Sequence, residues 1–255
     1  MKALTLLSSV FVIILALSGC KGRNPAEKRI AGADTTSVPD TGYTGIKQYM
    51  SGDRIVKEVT FKNGIREGLM KTFYPGGQIY QTFWYEKGLK QDSGRYYYVE
   101  GQLFRTTPYK NDTIDGIQKQ YYRTGKLKAM IGYSKGMRTS YLQEFTQTGK
   151  LIREYPEIVV TVNDEYKTRG LYRVTLELSD KKTKVKFNIG ELMNERFDTT
   201  FIKPVNTVNG KAVITLKKTG KAGKNNMGII GEITTPFGNR HIVYKRLDLP
   251  YNDLN

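Results

Sequence analysis

A fixed interval of 24 residues runs through the middle of this chain. Phe73, Tyr97, Tyr121 and Phe145 keep it, as do Gly77, Gly101, Gly125 and Gly149, and then Ile79, Leu103, Leu127 and Leu151. A second aromatic series, Phe61, Tyr85, Tyr109 and Tyr133, has the same step and is followed within three residues by Gly64, Gly88, Asp112 and Gly136. A period in the range of about 20 to 50 residues means that each unit is one supersecondary element, unable to bury its apolar face except against its neighbours. Function is then sought on an extended surface rather than in a pocket.

The pattern inside a unit has period two. Leu127, Ala129, Ile131 and Tyr133 point one way while Lys128, Met130, Gly132 and Ser134 point the other, which predicts a strand. Gly116 to Tyr122 is its expected partner, and the glycine of Arg-Thr-Gly-Lys supplies the positive φ that a hairpin loop between them needs. Four such hairpins are expected in residues 45–157, with a partial fifth starting at Tyr49 and Ile55, joined into one antiparallel ribbon.

The frames Tyr-Pro-Gly-Gly-Gln-Ile (74–79), Tyr-Val-Glu-Gly-Gln-Leu (98–103) and Tyr-Arg-Thr-Gly-Lys-Leu (122–127), with their Asn-Gly and Lys-Gly turns, resemble MORN repeats in the divergent form of bacterial antitoxin-like proteins. The resemblance covers roughly residues 45 to 155 and implies a binding scaffold with no chemistry of its own. A recurrent Gly-x-Trp is missing, since Trp84 is the sole tryptophan. The phosphoinositide-binding and junctional roles of eukaryotic MORN proteins therefore do not carry over.

Ahead of the repeats, Met1-Lys2 precedes an apolar run from Ala3 to Leu17, then Ser18-Gly19-Cys20. That run is shorter than the roughly 20 residues that cross a hydrocarbon core, so residues 1–19 read as an export signal. Leu17-Ser18-Gly19-Cys20 resembles the lipobox of bacterial lipoproteins, which implies cleavage before Cys20 and acyl chains on it. The expected location is a bacterial membrane, the outer one on its periplasmic side or the cell surface before the inner one. Residues 20–44, poor in large apolar groups, read as a flexible tether.

After Pro156 the period breaks. Ile158 to Val162, Leu171 to Leu178, Lys184 to Ile189, Ala212 to Leu216, Gly228 to Thr234 and His241 to Leu247 are β-rich, and Val174, Leu176 and Leu178 alternate with polar residues. Residues 158–255 are expected to form an immunoglobulin-like β-sandwich, the alternative being an added edge on the ribbon. Glu191 to Phe197 reads as one short helical turn. Lys181 to Lys186 alternates like an exposed edge strand guarded by lysine, and Gly220-Lys221-Ala222-Gly223-Lys224 like a hairpin turn. The fold class is all-β throughout.

The net charge is +17, spread as 19 basic against 11 acidic residues in 44–157 and 17 against 10 in 158–255. Spread in this way it reads as a solvated surface; the functional alternative is attraction to an acidic protein, an anionic headgroup or an acidic glycan, with nucleic acid the poorest fit and no nucleic-acid partner expected for an exported chain. Cys20 and His241 are the only residues of their types, which argues against zinc sites and Ser-His-Asp or Cys-His machinery, and no cofactor or metal is expected. His241 reads as a strand residue, and Asp164-Glu165 as solvated loop acids. Tyr74, Tyr98 and Tyr122, beside Phe73, Tyr97 and Tyr121, form a ladder flanked by Lys and Arg; together with Trp84 they are the candidate binding surface. The alternative is that both ladders pack between hairpins. The leading function is a non-enzymatic, membrane-anchored envelope lipoprotein that binds a protein partner through its repeats. An immunity or antitoxin-like inhibitor of a toxin and a glycan or peptidoglycan binder are the alternatives.

Overall fold

The computed structural model describes residues 42–255. The expected export signal, Cys20 and nearly all of the tether lie outside the described residues.

The repeats form one eleven-stranded antiparallel sheet. Its strands are β1 (Gly45–Ser51), β2 (Arg54–Lys62), β3 (Ile65–Phe73), β4 (Ile79–Glu86), β5 (Leu89–Tyr97), β6 (Leu103–Lys110), β7 (Thr113–Ile114), β8 (Gly116–Tyr121), β9 (Leu127–Ser134), β10 (Met137–Phe145) and β11 (Leu151–Ile152). They lie in chain order, with β7 paired to β6 beside the main path. Two kinds of turn alternate along the chain. At one side of the sheet Asn63-Gly64, Lys87-Gly88, Asn111-Asp112 and Lys135-Gly136 have positive φ at both residues, the type I′ geometry that matches strand twist. At the other side Tyr74 N–H donates to Gln78 O at 2.8 Å and Gly77 N–H to Tyr74 O at 2.9 Å. That pair of bonds recurs at Tyr98, Tyr122 and Thr146.

A third series is a bulge. Glu67, Gly68 and Leu69 stand against Thr60 alone, Asp92, Ser93 and Gly94 against Phe83 alone, and Thr139, Ser140 and Tyr141 against Gly132 alone. Gly68, Asp92 and Gly116 share the 24-residue step and all have positive φ, at 95°, 57° and 113°. Ser140 occupies the fourth place without it. There the bulge opens outward instead, and Ser140 N–H donates to Glu195 O at 3.1 Å.

The C-terminal part packs two four-stranded antiparallel sheets over a shared core. β12 (Ile158–Glu165), β13 (Leu171–Leu178), β14 (Val185–Ile189), β15 (Lys203–Val205), β16 (Thr207–Val208), β17 (Lys211–Lys217), β18 (Asn226–Thr234) and β19 (Arg240–Asp248) supply them, in the orders β12-β13-β17-β16 and β15-β14-β18-β19. Tyr172, Val174, Leu176 and Leu178 of β13 face Phe187, Ile229 and Ile233 across that core. The separate sheets rule out the alternative of an added edge on the ribbon.

Three local expectations are corrected. Glu191 to Phe197 is not helical: Asn194 and Glu195 both have positive φ, which a right-handed helix forbids, and the turn closes by Arg196 N–H to Met193 O at 3.1 Å. One turn of helix falls instead at Tyr166–Arg169. Of the run Lys181 to Lys186, Lys181 to Lys184 precede β14 and are loop rather than strand, while Lys186 lies in β14, which pairs with β18 along its length and with β15 from Phe187 on. Gly220 to Lys224 joins β17 to β18, strands of different sheets, and is a crossover rather than a hairpin turn.

Candidate functional site

A sheet one layer thick has no opposing layer to cover its apolar face, and this one covers that face with its own long side chains. Val59, Phe61, Met70, Phe83 and Tyr85 are buried on it, with Tyr49, Tyr96 and Tyr109 packed around them. Phe83 meets Tyr96 and Tyr109 edge-on, with ring centroids 5.7 and 5.6 Å apart. Cations lie over the rings: the Arg66 guanidinium 4.5 Å from Tyr85, Lys90 Nζ 5.0 Å from Phe83 and 5.5 Å from Tyr109, and the Arg105 guanidinium 4.1 Å from Tyr96. Each such contact contributes about 0.5 to 1 kcal/mol at an exposed site. The stems exclude water; Arg66 is exposed, whereas Lys90 and Arg105 are half-buried, with Arg105 Nε inside the cover. Burial is also the largest cause raising the Tyr49 and Tyr109 phenols above the usual tyrosine value, followed for Tyr109 by neighbouring Tyr96. The outcome is a basic, aromatic surface.

The tyrosine ladder does a different job. Tyr74 OH donates to Tyr97 O at 2.7 Å, Tyr98 OH to Tyr121 O at 2.9 Å, and Tyr122 OH to Phe145 O at 2.7 Å. Each phenol thus fastens its own hairpin to the backbone of the next. The rings rest on the residue six positions on: Tyr74 on Tyr80 with centroids 5.1 Å apart, Tyr98 on Phe104 at 5.1 Å, and Lys128 Nζ 6.0 Å from Tyr122. Arg123 covers Tyr98 at 4.6 Å and pairs with Glu100 of the preceding hairpin. Both tyrosine ladders are half-buried, as expected of packing between hairpins. The hydroxyls of Tyr74, Tyr98 and Tyr122 are engaged within the sheet, leaving only parts of their rings for a partner.

Trp84 is not brought to that ladder. It points away from Phe83 and Tyr85, is 44% exposed, pairs across the sheet with Leu69 and Gln91, and donates from Nε1 to Glu86 at 3.2 Å.

At the last repeat the covered face becomes polar and meets the sandwich. Glu144 is 0% exposed. Its Oε1 accepts from Thr235 Oγ1 and from Asn239 Nδ2, both at 2.7 Å, and its Oε2 accepts from Tyr155 OH at 3.2 Å. Thr235 and Asn239 belong to the β18–β19 turn, where Thr235 N–H to Asn239 O and Gly238 N–H to Thr235 O, both 2.9 Å, reproduce the repeat turn. Arg138 reaches Arg240 O through Nη2, and its backbone carbonyl accepts from Phe197 N–H at 2.8 Å. Together these contacts dock the sandwich onto β10.

His241 lies at the same junction, with its ring 4.3 Å from that of Tyr155. Burial, then the Arg138 charge, lowers its pKa from 6.5 to about 4. Because the folded pKa is the depressed one, neutral His241 contributes stability that is complete above about pH 6.5 and is lost as pH falls towards 4. Each pH unit in that window is expected to cost up to about 1.4 kcal/mol. Thermal unfolding between pH 7 and 4 checks this: His241→Gln should flatten the decline.

Sequence reasoning missed the cation cover and the Glu144 junction. Arg66 and Lys90 do share the 24-residue step, the signal that pointed to them. Glu144 stands where earlier units have Thr72, Tyr96 and Gln120, so no repeat frame marks it.

Residues 66–87 and 114–135 match the family described as the MORN repeat variant. The two segments start 48 residues apart, two repeat steps, and correspond to the β3–β4 and β8–β9 hairpins. The hairpin between them keeps the same turns and latch, with Asp92 in the place of Gly68 and Gly116. The sheet therefore carries MORN-type repeats. No curated protein matches the chain.

Proposed function

We propose that this chain is a non-enzymatic envelope lipoprotein, anchored through acylated Cys20, whose repeat sheet binds an acidic protein partner. The observation that carries the reading is the face bearing Arg66, Lys90 and Arg105 over Tyr85, Phe83, Tyr109 and Tyr96. Aromatic and arginine side chains dominate binding energy at protein interfaces, and here they are held in place by the sheet before any partner arrives. MORN repeats are often protein- or membrane-binding elements, and this face suits the first of those uses. Its rings are covered by cations, which favours carboxylates over sugars that stack on bare aromatics. Binding should weaken with salt, because the face carries exposed Arg66 and half-buried Lys90 and Arg105.

Two experiments test the two halves of the proposal. With the full chain as bait, Arg66→Gln, Lys90→Gln and Arg105→Gln together should abolish retention of one stoichiometric acidic protein without unfolding the sheet. Identical retention by both baits refutes the contact surface. Metabolic palmitate should label the wild type and not Cys20→Ala; equal labelling refutes the anchor.

A further inference from the structure

The eleven-stranded sheet has two unequal ends. At one end β11 is two residues long and the chain passes directly into the sandwich. At the other, β1 is seven residues long and among the described residues pairs only with β2. Such an edge is an open template for another strand, and proteins blunt it with proline, bulges or charge. β1 contains no proline, and the irregularity beside it belongs to β2: Tyr49 pairs with Lys57 and Met50 with Ile55, so the extra residue is Val56. β1 itself stays regular. Its outward face presents Ile46, 62% exposed, Gln48, and Met50, 55% exposed.

We infer that β1 pairs antiparallel with β1 of a second copy, about a two-fold axis through Gln48. In that register Ile46 lies opposite Met50 of the other chain, and Met50 opposite its Ile46, so each exposed apolar side chain gains an apolar neighbour. Gln48 faces Gln48. No other occupant is required for complementarity, because the strand's sequence is apolar-polar-apolar about its own centre. Among the described residues β1 is the full-length strand at an end of this sheet, the other end being the two-residue β11, so the pairing closes at two chains and does not propagate into a fibre. Two seven-residue strands bury less than a standard interface of about 1,600 Å², and the dimer is expected to be weak and concentration-dependent. The inference concerns the sheet's edge and stands apart from whether its face binds a partner.

Cross-linking tests it in the full chain carrying Cys20→Ser, which leaves an introduced thiol as the only one. Directly opposed residues of antiparallel strands have Cα atoms about 4.5 to 5.5 Å apart, within disulfide reach. Under mild oxidation Gln48→Cys should form a disulfide dimer at least roughly tenfold faster than Thr161→Cys on the outer face of the sandwich, as expected when association raises effective concentration. Adding Ile46→Lys and Met50→Lys places like charges opposite each other and should remove that advantage. Mixing this chain with one carrying Gln48→Cys, Ile46→Glu and Met50→Glu should restore it as a mixed dimer. Cross-linking of Gln48→Cys no faster than Thr161→Cys overturns the inference. So does capture of a different protein, or a rate indifferent to the charge substitutions. Unchanged melting temperatures establish that the variants are folded.

Discussion

Glu144→Ala is expected to lower the stability of the described domain by about 4 kcal/mol, the largest effect of any single substitution considered. The carboxylate is fully buried and accepts from Thr235, Asn239 and Tyr155. Alanine removes those three bonds and leaves the donors without a partner in a place water does not reach. It also strips compensating negative charge from Arg138, which is itself buried. At roughly 2 to 4 °C per kcal/mol for a domain of this size, melting should fall by about 8 to 16 °C. Glu144→Gln keeps the volume and one acceptor oxygen, and should lose no more than about 2 kcal/mol. A melting temperature within 2 °C of wild type for Glu144→Ala, a bound set from the same scaling, would mean that the junction adds little to the fold.

The second large effect is collective. Tyr74→Phe, Tyr98→Phe and Tyr122→Phe together remove three hydrogen bonds that cross from one hairpin to the next. Each contributes about 1 kcal/mol net, and the tyrosines stand two strands apart, roughly 10 Å, so the losses should add to about 3 kcal/mol. The matched control is Tyr97→Phe with Tyr121→Phe, the adjacent ladder, which should change stability by less than about 0.5 kcal/mol. Denaturant unfolding distinguishes the two sets. Equal effects would show that the phenol bonds are incidental and that ring packing alone joins the hairpins.

The same tyrosines show how far the sequence reached. Their recurrence was plain, and so were the strands, both turns and the change of texture at residue 156, because period-two alternation and turn glycines are local. The direction of the phenol was not local. It depends on a carbonyl 23 residues away, Tyr97 O for Tyr74, whose position follows from the stacking of hairpins. The bulge series Gly68, Asp92, Gly116 and Ser140 carried the repeat step in the sequence, but glycine, aspartate and glycine do not read as one series until their shared positive φ is known, and Ser140 keeps the place without it. The polar junction was hidden for a related reason. A glutamate between Gln143 and Phe145 looks solvated, and only the approach of the β18–β19 turn buries it. The lysine run at 181 to 186 misled in the opposite way: its alternation resembled one edge strand, whereas the strand begins only at Val185 and is flanked on both sides from Phe187.

The cation-covered face is what this account asks to be the contact surface, and Lys90 and Trp84 report on the two faces of the same sheet. Lys90 lies over Phe83 and Tyr109, whereas Trp84, the only tryptophan, points to the opposite side. The decisive measurement is a titration of the full chain with the protein it retains, following amine labelling of Lys90 and, through a partner preparation free of tryptophan signal, the emission of Trp84. Lys90 should become protected in proportion to complex formed while Trp84 emission stays constant. A shift of Trp84 emission with Lys90 labelled at its free rate would contradict it and move the contact surface to the other face.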